Sequence, residues 1–323
     1  MTLRHLNFLL SFALVLVLAM TTSTQAQQLI SVDFGRFTDT PVSPSPLYSG
    51  LAAAPDVAGG GTWNRVFSRT ASGLVDSTNT ASSVGINSGN VFFFSSLSSP
   101  YDNNPDPTDQ EVSGGFSDLF GDYLFSASDS GSLVTANIFG LIPGNAYDLY
   151  FYGQGDNFTS LGVFGGQNVG VRIGTDVRHT SHDGVLGGDG LIVEDIEYVV
   201  FRGIVADSIG QIDFEHFNPG QGLHGTDSTF FDSSLLAAGN PLAADPDENN
   251  SRFHALNGIQ IVGEFPPFVL GDTNLDTEVT FADIPSFIEI LQAGTLLAQA
   301  DCNQDGVVDF ADIPAFIAIL LAN

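Results

Sequence analysis

The sequence predicts a mainly β protein, a large β-sandwich followed by a small all-α unit at the C-terminus. Three observations predict it. Short alternating runs of apolar residues recur between Gly, Ser, Asn and Asp clusters from residue 27 to about 264, the spacing of an antiparallel sandwich. The Pro266-Pro267 step ends that pattern, because consecutive prolines cannot continue a ladder and stiffen the chain. After it, a loop-and-helix unit occurs twice, 29 residues apart.

The chain opens with Arg4 and His5, then an apolar run from Phe8 to Met20 broken only by Ser11, then Thr24-Gln25-Ala26. A short basic start, an apolar stretch and small residues form an export signal, with cleavage expected near Ala26. The run is about 13 residues, and a span takes roughly 20. The expected division is therefore 1–26 signal peptide, 27–264 sandwich, 265–270 linker and 271–323 C-terminal module, in a secreted chain with no membrane span once the signal is removed.

Within the sandwich, Ile30, Val32 and Phe34 alternate with Ser31 and Asp33. Residues 134–141 and 146–152 read as a hairpin around Ile142-Pro143-Gly144-Asn145, and 198–205 with 210–217 as a second around Asp207 and Ser208. Phe92, Phe93 and Phe94 read as a buried strand between the polar stretches 59–90 and 95–115, and residues 256–262 as the last strand. Tyr150 and Tyr152 project opposite Tyr147, Leu149 and Phe151. Core packing against the second sheet explains those tyrosines, and Trp63, more simply than a sugar-stacking platform.

The 8 basic residues, all Arg, face 37 acidic ones. Such a surface repels phosphate backbones, which excludes nucleic acid as a partner, and it favours cations. Cys302 is the single cysteine, so no internal disulfide staples the fold.

The repeat carries the chemistry. Residues 271–291 align with 300–320 at 13 of 21 identical positions, which is a duplication. Each unit puts oxygen side chains at loop positions 1, 3, 5 and 12: Asp272, Asn274, Asp276 and Asp283 in loop 1, and Asp301, Asn303, Asp305 and Asp312 in loop 2. Ca²⁺ takes about six to eight oxygens in a flexible cage, and alternating ligands can wrap it. Position 7 would add a backbone carbonyl, from Glu278 or Val307, and position 9 a water-mediated contact, from Thr280 or Asp309. Two calcium sites are expected. Loop 2 should be the stronger, because it has Gly306 at the sharp turn and Asp309 at position 9, where loop 1 has Thr277 and Thr280. Ile284, Phe287, Ile288 and Leu291 share a helical face, as do Ile313, Phe316, Ile317 and Leu320.

An ordinary EF-hand loop ends in Glu and follows an entering helix. Here both loops end in Asp, and Phe268-Val269-Leu270 is too short for such a helix. The repeat therefore resembles a type I dockerin, an EF-hand-like module that joins secreted proteins to cohesin-bearing partners. That resemblance implies calcium binding and assembly with a cohesin-like protein. Positions 10 and 11, which help dockerins choose a cohesin, are Phe281-Ala282 and Phe310-Ala311 instead of the familiar Ser-Thr, so an intramolecular clasp is the alternative. More loosely, residues 30–35, 140–153 and 256–261 resemble malectin-like and galactose-binding-like jelly-roll modules, which implies a polysaccharide ligand.

Other constellations carry less. Gly220-Gln221-Gly222-Leu223-His224-Gly225 matches a dinucleotide fingerprint only as a string. His179 and His182 beside Asp183 read as a polar loop, and Ala244 to Asn250 as a solvated acidic one. Glu197, Asp213 and Glu215 lie on strands, where a glycosidase pair is conceivable. The expected function is a secreted, non-catalytic glycan-binding or adhesive protein with a calcium-dependent assembly module. The alternatives are a polysaccharide-degrading hydrolase and a purely structural surface protein.

Overall fold

The computed structural model describes residues 27–35, 52–55, 61–95, 119, 122–125, 133–153, 169–180, 192–217, 254–293, 297–305 and 307–322. The export signal, the glycine string at 220–225, His182, Asp183 and the acidic loop at 244–250 lie outside them. Along the chain the strands are β1 Gln28–Phe34, β2 Asn64–Val66, β3 Thr70–Ala71, β4 Gly85–Asn87, β5 Phe92–Ser95, β6 Asp122–Phe125 and β7 Val134–Phe139. They continue with β8 Ala146–Tyr152, β9 Gly170–Ile173, β10 Asp176–His179, β11 Tyr198–Val205, β12 Ile212–Phe217 and β13 Gly258–Gly263. The α-helices that lie wholly within the described residues are α1 Asp283–Ala293 and α2 Ile313–Ala322, the latter entered by a 3-10 turn, Phe310–Asp312, with a second 3-10 turn at Ala298–Ala300.

The described strands make a five-stranded sheet, β11-β8-β13-β1-β2, a six-stranded sheet, β10-β9-β12-β7-β4-β3, and the ribbon β5-β6. Period-two alternation drives the main core. Ile30, Val32 and Phe34, Tyr147, Leu149 and Phe151, and Ile259 and Ile261 meet Val134, Ala136, Ile138, Ile212 and Phe214 of the opposite sheet. Phe151 packs on Phe214 with ring centroids 5.0 Å apart.

Neither expected hairpin forms. β7 pairs with β12 in one sheet, and β8 with β11 in the other, so 140–145 and 206–211 are arches that carry the chain from sheet to sheet. The turn residues suit a hairpin or an arch equally. Leu141 decides between them: it is fully buried in the core between the sheets, so the chain must bend over the sandwich edge. The arches bond each other, Leu141 N–H to the Gly210 carbonyl at 3.0 Å, Gly144 N–H to Ala206 at 3.1 Å and Ala206 N–H to Asn145 at 2.9 Å. Gly210, at φ +74°, sits so close to the Leu141 carbonyl that a Cβ would collide with it.

The alternate face of the five-stranded sheet is also covered. Tyr150, Tyr152, Val200 and Val262 pack with Leu29, Trp63 and Leu119. Ser31 and Gln260 on that face are buried, and hydrogen bonds satisfy them. Gln260 Nε2 donates to Ser31 Oγ at 2.9 Å, and its Oε1 accepts from Ala54 N–H at 3.0 Å and from the Tyr152 hydroxyl at 2.5 Å. No helix among the described residues is long and apolar enough to cross a membrane.

The segment after β13, expected as a linker, is knitted onto the sandwich. Phe265 stacks on Tyr147 at 5.9 Å. The Tyr147 hydroxyl donates to the Glu264 carbonyl at 2.9 Å and accepts from Ile142 N–H at 2.9 Å. Ser83 N–H donates to the Pro266 carbonyl at 3.1 Å, and Phe268 N–H to Ala81 at 3.3 Å.

Candidate metal centre

The two C-terminal loops fold on one scheme. In loop 1 the closing carboxylate Asp283, fully buried, accepts Thr273 N–H at 2.8 Å and Asn274 N–H at 3.1 Å on Oδ1, and Thr280 N–H at 2.8 Å on Oδ2. In loop 2 the equivalent Asp312, also fully buried, accepts Asn303 N–H at 3.0 Å and Asp309 N–H at 2.9 Å. Position 1 repeats the pattern: Asp272 accepts Asp276 N–H at 3.1 Å, and Asp301 accepts Asp305 N–H at 3.0 Å. At positions 3 and 5, the Asn274 amide donates to Asp276 at 2.9 Å and the Asn303 amide to Asp305 at 3.0 Å. Each loop thus curls around its own aspartates.

Position 9 caps the helix turn that follows. Thr280 Oγ1 accepts Ala282 N–H at 3.1 Å, and Asp309 Oδ1 accepts Ala311 N–H at 2.6 Å. Such capping satisfies amides that a helix start leaves orphaned. In loop 2 Asp309 and Asp312 complete a reciprocal capping box.

Electrostatics favours a cation here. Burial, together with the neighbouring Asp283 and Asp276 carboxylates, outweighs the amide bonds from Thr277 and Asp276 and pushes Asp272 up to about 6. A divalent ion would remove that strain, and a carboxylate oxygen that accepts one N–H keeps a lone pair for a metal. Among the described residues no three His, Cys, Asp or Glu side chains converge as one cluster. A cation held here would therefore also need the amide oxygens of Asn274 or Asn303 and backbone carbonyls such as those of Glu278 and Val307. All-oxygen donors of mixed charge suit Ca²⁺.

Position 4 takes a left-handed backbone in both loops, Leu275 at φ +62° and Gln304 at φ +60°. Loop 1 adds Thr277 at φ +75°. A β-branched residue there is strained; in sequence the equivalent position of loop 2 is Gly306, which lies outside the described residues.

The repeat-related Phe287 and Phe316 stack 3.9 Å apart, 18° from parallel, in a core with Leu297, Ala300, Cys302 and Leu320. Buried Cys302 points its thiol at the Gln299 carbonyl. The helical face differs from the expected one. Ile290 and Ile319 pack inward, whereas Ile288 and Ile317 are nearly half exposed. Phe281 and Phe310 are 69% and 75% exposed, so position 10 points to solvent in both repeats.

Of the carboxylates considered for glycoside hydrolysis, Asp213 and Glu215 share the outward face of β12. Glu215 is ion-paired to Arg172, and Asp213 is exposed two residues away on β12. Glu197 belongs near the other sheet, where it is buried and accepts Val193 N–H at 2.7 Å. Trp63 and Tyr152 are buried edge to face, 6.3 Å apart, and form no exposed platform. His179 turns Nδ1 toward the Thr180 carbonyl at 3.0 Å.

One pairing escaped the sequence reading. His216 Nδ1 lies 2.6 Å from His254 Nε2, and His216 Nε2 lies 3.2 Å from the Ser88 carbonyl. The carbonyl can only accept, which assigns the His216 proton to Nε2 and makes Nδ1 the acceptor of the His254 N–H. Both rings are fully enclosed, and burial lowers both, His216 to about 4. The sequence signalled only the burial of His216, because Ile212, Phe214 and His216 continue one inward alternation.

No family model matches the chain, and no curated protein matches it. Among solved structures, the plant receptor-like kinase ANX2 aligns over 47% of this chain and 36% of that chain, at 15% identity and a TM-score of 0.27.

Proposed function

We propose that this chain is a secreted, non-catalytic glycan-binding or adhesive protein whose C-terminal, dockerin-like unit binds two calcium ions and serves assembly. The observation that carries the calcium reading is the repeated loop scheme, in which duplicated, fully buried closing aspartates gather backbone amides in the same order. Asp272, Asn274, Asp276 and Asp283, with the Glu278 carbonyl, would hold one ion. Asp301, Asn303, Asp305 and Asp312, with the Val307 carbonyl, would hold the other. Metal binding in so small a unit is coupled to its folding. The glycan reading rests on the strand motifs of the sandwich, and the non-catalytic reading is supported by the ion pair that engages Glu215 with Arg172.

Calorimetric titration of the chelated full chain with Ca²⁺ tests the metal. Two sites are expected. Asp312→Ala should weaken total binding more than Asp283→Ala, because it opens the less strained loop. The absence of any isotherm would remove calcium from the reading, and equal losses would remove the asymmetry. Glycan-array binding by the full chain, without product release, tests the ligand class.

A further inference from the structure

The two loops share one internal design but not one environment. Between the sandwich and the C-terminal unit lies a cleft of about 90 Å³. Phe139, Pro143 and Ile209, from the ends of the two arches, form one wall; Asn274, Leu275 and Ile290, from loop 1 and α1, form the other. No described residue of loop 2 reaches it. The approach is fixed from below, because residues 265–268 are hydrogen-bonded and stacked onto the sandwich. Loop 1 is therefore presented to the arches, and Asn274, an oxygen donor of that loop, stands in the wall itself.

We propose that loop 1 is a calcium-set clasp whose partner is the sandwich of the same chain, whereas loop 2 organises only the C-terminal unit. This deepens the calcium reading above and rests on it. A cation held by Asp272, Asn274, Asp276 and Asp283 fixes the positions of Asn274 and Leu275, and with them the wall that faces the arches across the cleft. Without the ion, the crowded carboxylates of loop 1 repel one another and the wall loosens. The exposed Phe281 and Phe310 lie outside this contact, so the clasp leaves position 10 of both repeats free.

Hydrogen exchange on the full chain, with and without Ca²⁺, tests the clasp at the amides of Ile209 and Gln211. Calcium should slow their exchange roughly tenfold in the natural chain, the size of a local opening shifted by one contact surface. Asp312→Ala should keep that protection and Asp283→Ala should lose it. Ile209→Asp, at a position already 39% exposed, should lose it while calorimetry still counts two calcium sites. Protection that survives in Asp283→Ala or in Ile209→Asp overturns the clasp. Two bound ions with no protection in the natural chain also overturn it and leave the calcium reading standing. No calcium uptake at all overturns both.

Discussion

Thr277 is the residue at which the two loops part company. Its φ of +75° is a region that β-branched side chains avoid and glycine enters freely, at a difference of about 1–2 kcal/mol. Thr277→Gly should therefore tighten loop 1 by roughly five- to thirtyfold and narrow the gap between the sites, as read by calorimetry; an unchanged or weaker loop 1 would show that backbone strain does not set the difference. The two matching loops were legible in the sequence because their spacing is repeated. The His216–His254 pair was not, because it joins residues 38 apart that no local pattern links. Its consequence is a pH dependence with a definite sign. His216 titrates at about 4 when folded and near 6.5 when unfolded, so the unfolded chain binds more protons between those values. Stability is full above about pH 6.5 and falls as pH drops toward 4, by about 3 kcal/mol for a shift of that size. Imidazole resonances followed by NMR should show both rings neutral at pH 5.5, and a titration of either ring near 6.5 would refute the assignment.

Among the elements, strand positions were readable and strand partners were not. Alternation marked the inward sides of β1, β7, β8 and β13, because burial on one face is a period-two signal. The arches were misread as hairpins because Pro143, Gly144 and Asn145 report only that the chain turns. Whether the next strand joins the same sheet depends on Leu141 finding the core, a tertiary fact. Tyr150 and Tyr152 do lie opposite Tyr147, Leu149 and Phe151, but it is the latter three that meet the second sheet; the tyrosines are covered by Trp63 and Leu119 from distant segments, a cover with no local signature. The misreading bears on one glycine. Gly210→Ala would combine a left-handed backbone with a collision against the Leu141 carbonyl, at the point where the arches bond. A loss of about 2 kcal/mol or more follows, measurable by urea unfolding. By contrast Gly174→Ala, in the β9–β10 turn at φ +59° with open space around it, should lose only the backbone preference, about 1 kcal/mol. Equal losses would deny the arch contact.

At the scale of the whole molecule, the sandwich extends further than its last strand. Phe265 is 6% exposed and belongs to the main core, and the Pro266 carbonyl and Phe268 amide bond the 81–83 segment. A fragment of residues 27–264 loses those contacts, whereas 27–268 keeps them. The shorter fragment should be less stable by about 3–5 kcal/mol, the scale of deleting one buried aromatic; equal melting temperatures would place the structural boundary at 264 after all. The proline step, expected as a stiff linker, is thus also bonded to the sandwich through the Pro266 carbonyl and the Phe268 amide.

The burial of Cys302 has a practical corollary. Its thiol is enclosed beside the Gln299 carbonyl, in the small apolar core under the stacked phenylalanines. A thiol-modifying reagent can reach it only when that core opens, and no second thiol competes for the label. The unaltered chain therefore contains its own clock. The modification rate in calcium and in chelator compares how often the C-terminal unit breathes in each condition, without an added fluorophore or any substitution.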